Sequence, residues 1–259
     1  MNIFFDCHIH TAFSADSDMM LTAAITAAKQ QNIGITITDH IDFYFPGDDI
    51  YEFDCQKYFS AYKKYRDNEN VLLGVEIGMQ DTTAEQSQQF AVNQPFDMII
   101  ISQHILENYD LYYNDYYQNK DKQTAYRIYL EALIKGMNLH SFGNVLGHID
   151  YICRKAPYND VHLYYDEFSQ QIDKLWQCAL DNNIIPEINT RRFDNNINPK
   201  HLLPIYKRYH DMGGQYATIG SDAHVESAIG YKFMDAVCFL KEAGLIPVYF
   251  KNQQPVIMV

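Results

Sequence analysis

The chain has 259 residues, 47% of them hydrophobic, and a formal net charge of −13 from 33 acidic and 20 basic side chains. That balance excludes a surface built to grip a nucleic-acid backbone, which needs dense Lys and Arg. No apolar stretch approaches the ~20 residues that span a bilayer, and Met1-Asn2-Ile3-Phe4-Phe5-Asp6 carries no basic leader. Five scattered cysteines (Cys7, Cys55, Cys153, Cys178, Cys238), odd in number and never in a CxxC pair, read as reduced thiols of a cytoplasmic protein. No Pro/Gly/Ser-rich linker or repeat interrupts the chain, so residues 1–259 are expected to form a single domain.

In chain order, short apolar runs at 3–6, 33–38, 71–76, 97–102, 145–149, 184–188 and 216–221 read as strands. Between them, 21–31, 55–66, 126–135, 165–182 and 199–212 carry apolar residues at helical spacing. Gly34 and Gly213-Gly214 fall where a helix should stop before the next strand. Strands alternating with helices imply parallel pairing, because each helix must carry the chain back over the sheet. A (β/α) barrel with fewer than eight regular units is expected. A doubly wound open sheet is the alternative, but no glycine-rich phosphate loop follows the first strand. Residues 246–250 and 256–259 are expected to make a terminal hairpin around 251–254.

Polar residues mark the ends of these strands. The runs end in Asp6-Cys7-His8-Ile9-His10, Thr38-Asp39-His40, Gly74-Val75-Glu76, Ser102-Gln103-His104, Gly147-His148-Ile149-Asp150, Glu187-Ile188-Asn189 and Ser221-Asp222-Ala223-His224. In a parallel barrel all those ends share one face, where active sites lie. Asp6, His40, Glu76, His104, His148 and His224 are therefore expected at one mouth. Residues two apart on a strand point to the same side, so His8 and His10 can reach one ion. Buried together without cations, such groups would leave repelling anions and unmet polar atoms. Divalent metals remove that penalty, and imidazole with carboxylate suits Zn, Fe or Mn. The remaining histidines, His140, His162, His201 and His210, are read as structural.

Taken in order, these motifs, with Glu76 and His104 between them, resemble those of the PHP (polymerase and histidinol phosphatase) family across nearly the whole chain. The resemblance implies a distorted (β/α)7 barrel and a cluster of three divalent transition metals. It implies that His8, His10, Glu76 and Asp222 hold one ion, and that Glu76 bridges to a second held by His104 and His148. A third would lie between Asp16, His40 and His224, with Asp16 departing from relatives that carry histidine there. Within the family the chain is similar to the stand-alone histidinol phosphatases, on the stretches 147–154 and 187–191. That similarity implies hydrolysis of L-histidinol phosphate in histidine biosynthesis, with Arg154 and Arg191 as phosphate clamps. Both arginines offer bidentate donors in an otherwise acidic chain; pairing with neighbouring carboxylates is the alternative for each, and Arg192 is the adjacent alternative for the second. The partner expected is a small-molecule phosphate ester, with no nucleic acid and no membrane.

Aromatic residues are abundant, with 21 Tyr and 15 Phe. Phe43-Tyr44-Phe45-Pro46 and 109–117 follow the second and fourth strands, and Tyr44 is the candidate substrate contact; ordinary loop packing or a subunit interface is the alternative for both. Asp42, Asp48 and Asp49 are candidates for a substrate ammonium. Metal-assisted phosphomonoester hydrolysis is the expected reaction, with His224 or a metal assisting the leaving oxygen. No Ser or Cys nucleophile with a base partner stands out. The rival readings are a PHP phosphoesterase for another small phosphate or nucleotide, an amidohydrolase-type barrel, and a non-catalytic PHP module. An amidohydrolase would normally bridge its metals through a lysine, where this chain has Glu76.

Overall fold

The computed structural model describes residues 4–193 and 199–258. Its strands are β1 (Phe5–Ile9), β2 (Gly34–Ile37), β3 (His40–Ile41), β4 (Val71–Gly78), β5 (Met98–Ser102), β6 (Ile105–Leu106), β7 (Tyr109–Asp110), β8 (Val145–Leu146), β9 (Ile185–Asn189), β10 (Tyr216–Gly220), β11 (Ile246–Lys251) and β12 (Gln254–Ile257). The helices are α1 (Leu21–Gln30), α2 (Cys55–Tyr62), α3 (Ala84–Val92), α4 (Lys122–Leu139), α5 (Tyr165–Asp181), α6 (Leu203–Asp211) and α7 (Phe233–Ala243). Side-chain caps start two of them: Asp54 accepts from the Lys57 N–H at 2.9 Å and Asp121 from the Thr124 N–H at 2.8 Å. None of the described helices is long and apolar enough to cross a membrane.

Seven parallel strands lie side by side in the order β1-β2-β4-β5-β8-β9-β10, with β3 continuing the pairing to β4. The ring returns to its start at one end only. There Ile9 forms a parallel bridge with Ala223, the His10 N–H donates to the Ala223 carbonyl at 2.8 Å, and the Asp222 N–H donates to the His8 carbonyl at 2.8 Å. At the other end β10 pairs instead with β11, and the Phe5 ring stacks on Tyr249 of β11 at 4.2 Å. This is the distorted (β/α)7 barrel anticipated from the motifs. The mouth is where it closes.

The terminal hairpin also forms, as β11 paired antiparallel with β12 through Asn252 and Gln253, both at positive φ. Ile3 and Val259, which the expected first strand and hairpin include, lie outside the described residues. Three expectations need correction. The first strand runs through His8 and does not stop at Asp6, because polar side chains at a barrel mouth have partners there. The fifth strand ends at Leu146, since the His148 N–H is taken by the Glu187 carboxylate at 2.8 Å and not by a neighbouring strand. Finally, α3 and α7 lie outside the expected helices; α3 buries only Ser87 and Ala91, too little to show an apolar stripe.

Candidate metal and phosphate site

The mouth gathers its side chains from strands far apart in sequence. His40 on β3 is in register with Glu76 on β4, which sets their side chains next to each other, His40 Nδ1 lying 3.0 Å from Glu76 Oε2. His8 and His10 reach the same carboxylate oxygen through Nε2, at 3.1 and 3.5 Å, as the alternation along a strand requires. His104 and His148 approach the other oxygen, Oε1, at 3.3 and 2.9 Å. Glu76 is thus a wholly buried carboxylate ringed by five imidazoles. Burial opposes its charge, yet His8, His40 and His104 hold its pKa well below the usual value.

Asp222 closes the first group, its Oδ1 being 3.2 Å from His10 Nε2 and 3.9 Å from His8 Nε2. Its backbone sits at φ 55°, a left-handed conformation that costs a non-glycine residue and recurs at functional sites. At the outer rim, Asp16 Oδ2 lies 3.0 Å from His224 Nε2 and 3.8 Å from His40 Nε2. Asp39 braces the loop that carries Asp16, accepting from the Thr11 N–H, the Thr11 hydroxyl and the Ser14 hydroxyl.

A second ring of carboxylates orients these imidazoles. Glu187 takes His8 Nδ1 at 2.7 Å, which turns Nε2 toward Glu76. Asp42 takes His104 Nδ1 at 3.0 Å in the same way, and the imidazole, working against burial, holds the Asp42 pKa down at about 2. Both close approaches depend on glycine: a Cβ on Gly220 would meet Glu187 and His8, and one on Gly78 would meet Asp42. Asp42 is therefore spent on His104 and does not await a substrate ammonium, and neither Asp48 nor Asp49 lines the cavity. Asp42 lies two residues after His40, just past the end of β3, but its partner His104 is not evident from the sequence. Asp6, expected at the mouth, instead accepts from Ser221 and from the Gly230 N–H at 2.8 Å, tying β1 to the loop that follows β10.

The donor set fits divalent metal ions. Nε2 of His8, Nε2 of His10, Nδ1 of His40 and Oε2 of Glu76 are buried without a hydrogen-bond partner, a costly state for polar atoms unless a cation occupies the space between them. Ligand atoms converge within 4.8 Å in four groups: His8-His10-Glu76, Glu76-His104-His148, His40-Asp42-His104 and His10-His40-His224. Neutral imidazoles with orienting carboxylates behind them are what transition-metal sites require.

Above this cluster lies a cavity of about 290 Å³. Arg154 and Arg191 both line it. Arg154 is largely buried, pairs with Asp222 Oδ2 and stacks on the Tyr151 ring at 4.7 Å. Arg191 is more exposed and donates to the Asp222 carbonyl at 3.2 Å. Arg192 turns away into a buried pair with Asp150 at 2.6 Å, linking the turn that carries Arg154 to the turn that carries Arg191. Tyr44 does not reach the cavity and is 71% exposed; Phe45 and Tyr51 form that wall in its place.

A parallel barrel whose closed mouth carries buried imidazoles around a shared carboxylate, with two arginines in the cavity above, is the architecture of a metal-dependent hydrolase. Residues 6–191 match the PHP domain model, and the chain belongs to that family. It is 41% identical to a probable histidinol-phosphatase of Clostridium acetobutylicum, over 96% of this chain and 97% of that protein. It is 29% identical to the histidinol-phosphatase of Lactococcus lactis subsp. lactis, over 92% and 91% of the two chains. The crystal structure of histidinol phosphate phosphatase from Lactococcus lactis subsp. lactis, complexed with Zn, L-histidinol and phosphate, superposes with a TM-score of 0.89, covering 98% of each chain at 27% identity.

Proposed function

We propose that this protein hydrolyses L-histidinol phosphate to L-histidinol and phosphate, using three divalent metal ions. The observation that carries the reading is the shared cavity: the nine candidate ligands gather below it, and Arg154 and Arg191 enter it from one side. The likeness in sequence and fold to histidinol-phosphatases supports the choice of substrate. In this reading His8, His10, Glu76 and Asp222 hold one ion, Glu76, His104 and His148 a second, and Asp16, His40 and His224 a third. Such ions, when bound, supply Lewis acidity and lower the pKa of a coordinated water.

The chain's own residues do the positioning. Arg154 and Arg191 bind the non-bridging phosphoryl oxygens and stabilise charge that builds during in-line attack by water. The bond between phosphorus and the histidinol oxygen breaks, and that oxygen leaves with a proton. His224 has Nδ1 against the Asp222 carbonyl at 2.9 Å and Nε2 against Asp16. Because that carbonyl can only accept, Nδ1 carries the proton and Nε2 turns its lone pair toward the Asp16 carboxylate, so ligation is the role we assign to it. Phosphate release from histidinol phosphate and p-nitrophenyl phosphate, before and after chelation, tests the proposal. Histidinol phosphate should be much the better substrate in kcat/KM, and chelation should abolish its turnover. Equal kcat/KM for the two esters would leave only a general PHP phosphoesterase.

A further inference from the structure

Four carboxylates line the cavity, and three of them have partners there. Asp16 faces His224, Asp42 faces His104, and Asp222 faces Arg154. Asp110, the fourth, makes no ion pair among the described residues; its hydrogen-bond partner is the Tyr112 N–H at 2.8 Å. Burial raises its pKa, with Asp42 adding to the rise, against the lowering effects of that N–H and of the His104 imidazole. Placed at the mouth of a phosphate pocket, in a chain of net charge −13, such a group repels a simple phosphate dianion. Its presence makes sense if the substrate carries a positive charge away from the phosphate.

Local structure holds Asp110 in place. Glu107 and Asn108 both adopt positive φ, at 54° and 64°, forming the two-residue turn that closes the β6–β7 hairpin. This folds Asp110 back opposite Ile105, directly after the ligand candidate His104, and the Leu111 N–H then donates to the His104 carbonyl at 2.9 Å. The buried Tyr117 hydroxyl pins the far side, donating to the Leu111 carbonyl at 2.9 Å or the Ile152 carbonyl at 3.0 Å. Phe45, Tyr51, Tyr112 and Tyr113 complete the outer wall. Tyr51 meets the His40 ring edge-on at 5.5 Å, so this wall begins where the metal ligands end. A carboxylate among aromatic faces is the chemistry that holds an organic ammonium.

We infer that Asp110 is the counter-ion for a substrate ammonium, so that the outer half of the cavity selects amine-bearing phosphomonoesters. The inference rests on the phosphomonoester reading above, and the test separates the two. Asp110→Asn keeps the shape of the side chain and an oxygen for the Tyr112 N–H, so the hairpin is preserved. The substrates are L-histidinol phosphate and its des-amino analogue, 3-(imidazol-4-yl)propyl phosphate, assayed by phosphate release with metal-loaded enzyme.

Loss of a charge-assisted contact should lower kcat/KM for histidinol phosphate by about tenfold or more, while the des-amino ester changes less than about twofold, well inside that effect. Asp110→Glu should recover part of the loss. An equal fall for both esters, or no fall for either, overturns the inference while leaving the phosphatase reading intact. If wild-type enzyme does not turn over histidinol phosphate, that reading fails separately. The same comparison, run with O-phosphoethanolamine against ethyl phosphate, then decides the role of Asp110.

Discussion

Replacing Glu187 by Gln isolates what the orienting carboxylates do for the metal cluster. Glu187 is fully buried and has three partners: His8 Nδ1 at 2.7 Å, the His148 N–H at 2.8 Å and the Asn189 side-chain amide at 3.1 Å. All three are satisfied by an acceptor. A glutamine can present its carbonyl oxygen to His8 or to His148 but not to both, so its NH2 group must face a donor. Leaving a buried donor unsatisfied costs about 1–3 kcal/mol, so the Tm of the metal-free protein should fall by roughly 2–12 °C at this chain length. The larger consequence is at the metal. Without a firm acceptor at Nδ1, His8 no longer holds its Nε2 toward Glu76 and Asp222, and loss of such an orienting partner weakens metal affinity about 10- to 100-fold. Competition with a chromogenic chelator reads that affinity directly, and phosphate release at increasing metal concentration reads its effect. Activity should be low at limiting metal and largely restored by excess. Wild-type metal affinity in Glu187→Gln would refute the argument.

The arginines should behave in the opposite way. Arg154→Ala or Arg191→Ala should lower kcat/KM roughly 10- to 150-fold with metal content unchanged by elemental analysis; Lys at either position should rescue only in part, and excess metal should rescue neither. Arg192→Ala strands the buried Asp150 carboxylate and unties the two turns that carry Arg154 and Arg191. It should cost about 3–5 kcal/mol in urea unfolding and raise KM for the phosphate ester in whatever enzyme remains folded. His140 is buried with Nδ1 donating to the Gly136 carbonyl at 2.9 Å, and burial lowers its pKa below the unfolded value of 6.5. Its neutral form therefore contributes stability that is fully present above that pH and lost as pH falls through the folded pKa. Between about pH 7 and 5, wild-type protein should lose stability relative to His140→Gln; a constant difference across that range would remove His140 from the account.

Much of this molecule is legible in one dimension because its chemistry is tied to strand ends. The alternation of strands and helices implies parallel pairing, and parallel strands bring their C-terminal ends, with His8, His10, Glu76 and His148, to one face. Spacing along a single strand foretold that the rings of His8 and His10 point to the same side, since that follows from the two-residue repeat alone; that both reach the Glu76 carboxylate came from the folded chain. Where a contact joins residues far apart in sequence, no local pattern could identify the partner. Asp42 and His104 meet because β3 and β5 both flank β4, Glu187 and His8 because the ring closes between β10 and β1, and Gly78 and Gly220 leave the room. Loops show the limit most clearly. Tyr44 and Phe45 are neighbours of similar character, yet a left-handed turn at Tyr44 exposes it while Phe45 reaches the cavity wall. Composition and periodicity establish which residues a strand turns inward, but a loop side chain's direction is set by backbone dihedrals and by the packing of the chain around it. That is why the convergence of the candidate ligands could be read from the sequence, while the partners of the orienting carboxylates and the outer wall with Asp110 needed the folded chain.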